Sequence, residues 1–316
     1  NMLGFNAMFV PGWDCHGLPI EHGVDKALGL DDAAGVDVRK AMDPVEKIRR
    51  CREYALKFLD IQREEFKRLG VFADWDNRYA TLDPEYEAVI VREFGRFVGQ
   101  GVVYKGLKPV HWCMHCKTAL AQAEVEYEDQ TTPSVYVKFP VAAPSRALAE
   151  ALGGRAASLA IWTTTPWTLP ANLAIAVHPT ETYTALEVDG EWLIVARPLA
   201  VAVANLPGVA GRARGTSLAL PGAALVGTQA RHPWIARDSV VIGEDFVAMD
   251  AGTGLVHIAP GHGEEDYEAG RRAGLKIYNP VDDDGKFTAE VEHFAGQTVW
   301  EANPKIIELL RARGAL

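Results

Sequence analysis

The periodicity of apolar residues changes at Val102, and that change constrains the fold more than any other feature of the chain. Before it the sequence is written in helix-length pieces. Asp43-Pro44 supplies an N-cap and a first-turn proline, and Glu46 adds an early acid. Gly70 ends the run, and between them Ile48, Cys51, Ala55, Phe58, Leu59, Phe66 and Leu69 fall on one helical face. Asp83-Pro84 opens another helix, closed by Gly99 or Gly101. Ala7 to Val10 is expected as a short strand running into the stiff loop Pro11–Pro19, with a helix over Ile20 to Leu28. After Val102 the pattern is one of short β-like runs: Val102–Tyr104, Pro109–Trp112, Ala123–Tyr127, Val135–Phe139, Leu173–Val177, Tyr183–Val188, Trp192–Ala196 and Val240–Ile242. Residues 200–230 are rich in Ala, Gly and Pro and are expected as loosely specified surface elements; Asn303-Pro304 is expected to open a last helix, Lys305 to Arg313. A helical part followed by a strand-rich part implies two domains, which a length of 316 residues also favours.

The formal charge of −10 excludes a protein that coats nucleic acid by bulk electrostatics, while leaving room for a local basic patch. Four cysteines, Cys15, Cys51, Cys113 and Cys116, are too few and too uneven for a disulfide framework. A reducing, cytoplasmic compartment is therefore expected. No stretch is long and apolar enough for a membrane span, and the opening Asn1-Met2-Leu3-Gly4-Phe5 reads as the edge of a fragment.

Three segments carry candidate chemistry. Ser158 to Trp162 reads as a buried strand that Pro166 and Pro170 stop, leaving Thr163, Thr164 and Thr165 as a polar corner in an apolar wall; the plainer alternative is a β-branched strand end. Gly12-Trp13-Asp14-Cys15-His16-Gly17-Leu18-Pro19-Ile20-Glu21 follows a strand and precedes a helix, the place where open α/β sheets bind ligands, and an Asp there can anchor an ammonium group. Cys113-Met114-His115-Cys116 has the spacing of half a zinc knuckle, which needs two further ligands. Cys15 and His16, adjacent in a stiff loop, do not make a nucleophile and base pair.

Four segments in order, Gly12–Glu21, Trp112–Cys116, Trp162–Asn172 and Gly252-Thr253-Gly254 through His257-Ile258-Ala259-Pro260-Gly261-His262 to Asp266-Tyr267, resemble the class I aminoacyl-tRNA synthetases for branched aliphatic amino acids, in the spelling of the isoleucyl enzymes. The resemblance implies an α/β fold: an incomplete Rossmann-type synthetic domain with flanking helices over 1–105, half a zinc knuckle and linker strands over 106–130, a strand-rich, β-barrel-like mixed α/β editing domain over 131–295, and a return helix over 296–316. The family's two ATP-binding signatures are missing from the chain, so it should not activate isoleucine alone. The whole protein would join isoleucine to tRNA(Ile) with ATP and Mg, as a cytoplasmic monomer without membrane contact. This part would hydrolyse mischarged Val-tRNA(Ile).

A hydrocarbon pocket separates one methylene by only about 1–3 kcal/mol, isoleucine against valine being the standard instance, so a second, hydrolytic site is required. By the resemblance Asp266 holds the α-ammonium of valine, His257 crowds out isoleucine, Thr163, Thr164 and Thr165 line the floor, and Asn172 lies near the substrate. Asp14, with Trp13 and His16, belongs to the synthetic site and pairs with the isoleucine ammonium. Cys113 and Cys116 form a zinc half-site whose second ligand pair lies outside the chain. His262, Trp162 and Trp167 are candidates to stack on the tRNA end, core packing being the expected role of the tryptophans. A free-standing deacylase and a non-catalytic module that cradles the tRNA acceptor end remain as alternatives.

Overall fold

The computed structural model describes residues 1–29 and 42–316, in two compact units, Asn1–Lys105 and Gly106–Leu316. Residues 30–41, which the sequence assigns to the first domain, lie outside the described residues.

In the first unit a two-residue strand, β1 (Gly12–Trp13), pairs in parallel with β2 (Tyr79–Ala80). Among the described residues they are accompanied by helices α1 (Leu18–Ala27), α2 (Pro44–Arg68) and α3 (Pro84–Gly99). Asp43 caps α2 by accepting from the Val45 amide at 3.3 Å. The core is small: Cys15, Ala55, Leu59, Ala80 and Leu82. Of the expected apolar face of α2 only Ala55 and Leu59 are buried, whereas Ile48, Phe66 and Leu69 are exposed. Ala7–Val10 is not a strand. Tyr79 N and Thr81 N reach Pro11 O and Trp13 O, so β2 provides ladder partners only from Pro11 onward. Val102–Tyr104 is likewise no strand.

The second unit begins with the hairpin β3 (His111–Cys113) and β4 (Thr118–Leu120). A nine-stranded mixed sheet follows, built from β5 (Val135–Ala143), β6 (Ala157–Thr163), β7 (Ala174–Val177), β8 (Thr182–Val188), β9 (Glu191–Ala196), β10 (Ala213–Pro221), β11 (Gln229–Arg231), β12 (Asp238–Gly243) and β13 (Leu255–Ile258). Its order is β10-β8-β9-β6-β5-β11-β12-β7-β13. The sheet curls, so that β13 at one end comes back against β6 in the middle. That return explains the uninterrupted apolar runs of β6 and β7, which are covered on both faces. Helices α4 (Arg146–Leu152), α5 (Ala200–Ala204), α6 (Glu264–Arg272) and α7 (Val299–Ala312) complete the unit.

Three expectations are corrected here. Residues 200–230 hold α5, β10 and β11 rather than loose surface; β10 is an edge strand with two register shifts, which blurred its alternation. Ala123–Tyr127 contains a 3-10 turn, Gln122–Glu124, in place of a strand. The last helix begins at Val299, where Thr298 and Glu301 form a capping box, and Pro304 sits inside it. The buried face of α7, Val299, Ala302, Ile306 and Leu310, joins the main core with Phe139, Leu159, Ile161, Leu169 and Ile175.

Candidate functional site

Where β6 ends, Thr163 is buried and its Oγ1 accepts from the Thr165 amide at 3.0 Å, so the strand stops on a tight polar bend. Thr164 and Thr165 are exposed on that bend. The chain then makes a short 3-10 helix, Pro166–Ala171. In such a helix residues three apart eclipse, so Thr168 returns over Thr165: its amide and its Oγ1 both donate to Thr165 O, at 3.0 and 2.9 Å.

Thr168 Oγ1 also lies 2.9 Å from His257 Nε2. The hydroxyl proton is already directed at Thr165 O, so the hydrogen in the second bond comes from the imidazole. His257 is therefore the Nε2–H tautomer, with a bare Nδ1 that is buried and has no hydrogen-bond partner. Burial, with His262 nearby, lowers its pKa to about 4, so the ring is neutral at pH 7. Its place in β13 is set by pairing with Ile175 of β7, and by the turn before it. Gly252 and Gly254 there have φ of 70° and 73°. A Cβ on Gly254 would lie 2.2 Å from the Ala196 Cβ, so only glycine lets β13 approach β9 so closely.

After β13 the loop Ala259–Gly263 leads into α6. Asp266, in the first turn of that helix, folds back over Gly263, where a Cβ would meet its Oδ2 at 2.5 Å. Burial, then the neighbouring Glu265 charge, push its pKa up to about 7 against the opposing pull of a hydrogen bond from the Ala259 backbone. His262, on the same loop, stands edge-on to Trp167 with ring centroids 5.1 Å apart, and burial lowers its pKa to about 4. Its Nε2 is buried without a partner. The end of β6, the 3-10 helix and β13 thus meet in one corner through Thr163, Thr165, Thr168 and His257, and the loop that leads to Asp266 adjoins it where His262 meets Trp167.

Asn172 does not share it. That side chain is fully buried, donates to Ala174 O at 2.8 Å and accepts from Ser239 Oγ, so it braces the backbone behind the corner and has no free face for a ligand. Sequence reasoning missed Thr168, although its three-residue offset from Thr165 between two prolines was a usable signal. It also missed His232 and Arg237, which donate to Leu169 O and Pro170 O. No local signal marked those two.

In the first unit Asp14 is exposed just after β1, accepting from Thr81 Oγ1 at 3.4 Å. His16 Nε2 is 3.2 Å from Thr81 O, and Trp13 Nε1 donates to Gln62 at 3.0 Å. A cavity of about 310 Å³ takes in His16 with Cys15, Lys47, Cys51 and Glu87, but neither Trp13 nor Asp14 lines it. The β3–β4 hairpin directs the Cys116 amide at Cys113 Sγ, 3.3 Å away. Trp112 Nε1 and Lys117 tie that hairpin to Asp283 O and Asp284, at 3.0 and 2.6 Å. Among the described residues no group of three or more His, Cys, Asp or Glu is placed to hold a metal, and no helix is long and apolar enough to cross a membrane.

Comparison with known proteins bears on the whole chain. Isoleucine–tRNA ligases of Nitratidesulfovibrio vulgaris (strain Miyazaki F) and Moorella thermoacetica are 50% and 51% identical to it over 317 and 316 residues, covering 100% of this chain and 33% of each relative. The chain therefore spans about a third of the length of the curated relatives it matches. Among solved structures, a leucyl-tRNA synthetase CP1 domain (GlLeuRS-CP1) and the editing domain of the P. knowlesi cytosolic leucyl-tRNA synthetase resemble it more loosely. They are 16% and 12% identical, cover 58% of this chain and 97% and 94% of their own, and give TM-scores of 0.47 and 0.44. The family profile of the tRNA synthetases class I (I, L, M and V) matches residues 1–294, and the chain belongs to that family.

Proposed function

We propose that the chain is part of an isoleucine–tRNA ligase and that its second unit hydrolyses Val-tRNA(Ile) formed in error. The observation that carries this reading is the corner itself, where a neutral imidazole of fixed tautomer is tied to the threonine bend, with the half-buried Asp266, its pKa raised to about 7, on the helix start that follows the adjoining loop. The α-ammonium of the valyl ester pairs with Asp266. That cation favours loss of the proton from Asp266, and the ion pair so formed offsets the desolvation cost of the carboxylate. His257, pinned by Thr168, stands as a rigid wall against the extra methylene of isoleucine. Thr163, Thr164 and Thr165 orient the terminal ribose and the attacking water. No enzyme nucleophile is needed, because an aminoacyl ester is already activated and a positioned water suffices.

The first unit is read as part of the Rossmann-type synthetic domain, with Asp14 placed for the isoleucine ammonium and Trp13 and His16 beside it. When bound there, ATP with Mg supplies the activation of the amino acid, which in the longer protein needs residues beyond these. Cys113 and Cys116 fit half of a tetrahedral zinc site, since the Cys116 amide aimed at Cys113 Sγ stabilises a thiolate; zinc would tie the hairpin to a second ligand pair elsewhere in the longer protein. A cytoplasmic monomer working on tRNA(Ile), isoleucine and valine completes the proposal.

The test is deacylation of Val-tRNA(Ile) and Ile-tRNA(Ile) by the full-length protein. The valyl ester should be hydrolysed and the isoleucyl ester spared, with most of the activity lost in Asp266→Ala. Val-tRNA(Ile) hydrolysis no faster than the spontaneous reaction would overturn the reading in favour of a tRNA-binding module.

A further inference from the structure

The segment that presents Trp167 and Thr168 is a short 3-10 helix of six residues, with Pro166 at its start and Pro170 near its end. A 3-10 helix this short, with prolines at two of its six positions, has few internal hydrogen bonds with which to hold its own shape. Its position is set by side chains from the elements around it: Asn303 of α7 accepts from the Trp167 amide at 2.9 Å, and others come from the ends of β11 and of β12, the strand beside β7. His232, just past β11, donates from Nε2 to Leu169 O at 2.9 Å. Arg237, just before β12, donates from Nη2 to Pro170 O at 2.7 Å. Ser239 donates to the Asn172 side chain.

His232 and Arg237 are each built for direction. His232 Nδ1 accepts from the Trp234 and Ile235 amides at 3.3 and 3.1 Å, so the ring hydrogen must sit on Nε2 and point at Leu169. The ring is wedged edge-on between Phe139 and Trp234, with centroids 5.6 and 4.5 Å away. Burial lowers its pKa to about 3, so it stays a neutral donor throughout the neutral range. Arg237 is the costlier group. Its Nε is buried without a partner, and a guanidinium taken out of water with an unmet N–H is destabilising unless something is gained elsewhere. It lies over the Tyr278 ring, 5.6 Å from guanidinium to centroid. The Tyr278 carbonyl in turn lies under Gly261, where a Cβ would come within 2.4 Å of it. Arg237 therefore contacts both halves of the corner: the turn that carries Thr168, through Pro170, and the loop that carries His262, through Tyr278.

We propose that Arg237 and His232 are positioning residues for ester hydrolysis, holding the 3-10 turn in register so that Thr168 meets His257 and the wall against isoleucine stays rigid. The proposal rests on the editing function argued above. Releasing the turn lets Thr168 slide past the imidazole, so hydrolysis of the valyl ester falls and the isoleucyl ester gains entry. A misplacement of about 1 Å costs on the order of 100-fold in rate.

The experiment uses the full-length protein with Arg237→Met, Arg237→Lys and His232→Phe, and measures kcat and KM for deacylation of Val-tRNA(Ile) and Ile-tRNA(Ile). Imidazole nitrogen NMR of ¹⁵N-histidine-labelled protein reports the His257 tautomer. In Arg237→Met, kcat for the valyl ester should fall roughly 10- to 100-fold with KM little changed, and the valine-to-isoleucine ratio should fall at least about 10-fold. Arg237→Lys, which keeps a donor, should recover part of both. The His257 signal should change from a single Nε2–H tautomer to a mixture. A folded Arg237→Met protein with wild-type kcat, ratio and tautomer overturns the proposal. So does a loss of thermal stability whose residual activity keeps full selectivity and is not rescued by Lys, because that is the signature of a merely structural arginine. Failure of the wild-type protein itself to hydrolyse Val-tRNA(Ile) would instead bring down the editing function beneath it.

Discussion

Asp266 is held with a pKa of about 7 where a free aspartate titrates at 3.8, and this makes Asp266→Asn an informative substitution. The folded chain favours the protonated acid, whereas the unfolded chain ionises near its ordinary value. Relative to Asn, the wild-type side chain is therefore best tolerated below about pH 4, loses ground as pH rises towards 7, and carries its full penalty above that. Three pH units at about 1.36 kcal/mol each set a ceiling of about 4 kcal/mol; partial access of water to the carboxyl reduces this to about 1–3 kcal/mol. Asn keeps the shape and an acceptor for the Ala259 amide but has nothing to ionise. Its stability relative to wild type should therefore be greater at about pH 8 than at about pH 5, by roughly 1–2 kcal/mol. The same substitution should abolish most deacylation, because a neutral amide offers an ammonium no opposite charge. Urea midpoints followed by circular dichroism at the two pH values measure the first effect, and Val-tRNA(Ile) hydrolysis the second. A relative stability that is the same at both pH values, or lower in the alkaline one, refutes the assignment of a burial-strained acid.

Other consequences can be checked alongside. The kcat/KM for enzymatic deacylation, corrected for spontaneous hydrolysis, should rise with pH along a limb centred near about 7, because His257 and His262 are already neutral above about 4 and leave Asp266 as the titrating group of the protein; a limb centred near 4 would point to the histidines. His257→Ala should open the wall and raise Ile-tRNA(Ile) hydrolysis by about 10-fold or more, the discrimination expected of one methylene; an isoleucyl ester that stays untouched removes the steric role. Gly254→Ala drives a methyl to 2.2 Å from the Ala196 Cβ at a φ of 73° and should cost about 2–4 kcal/mol, read as a lower Tm. An unchanged Tm would show that the β9–β13 approach is slack.

Local chemistry made a good deal of this protein legible in advance. Asp43-Pro44 and Asp83-Pro84 announce the starts of α2 and α3, because capping and a fixed proline φ act within one turn. Strands β5, β7, β8, β9 and β12 show in their apolar runs, since burial on a sheet face marks each residue separately. Strand β10 was hidden by its irregular register, and the start of α7 by the stronger signal of Pro304. The corner shows the same division at the level of single residues. Thr163, Thr165, His257 and Asp266 were readable as chemically able groups. That Thr168 sets the His257 tautomer, that Asp266 is buried enough to resist ionisation, that Asn172 is turned inward, and that His232 and Arg237 hold the turn from behind were not. The sequence by itself determined which groups are present, how the chain divides and where its elements begin, because those depend on neighbours a few residues away. Distances, desolvation and hydrogen direction arise between residues 60 to 100 positions apart, such as Thr168 and His257 or Leu169 and His232, and only the curled sheet decides them by closing those separations to contact.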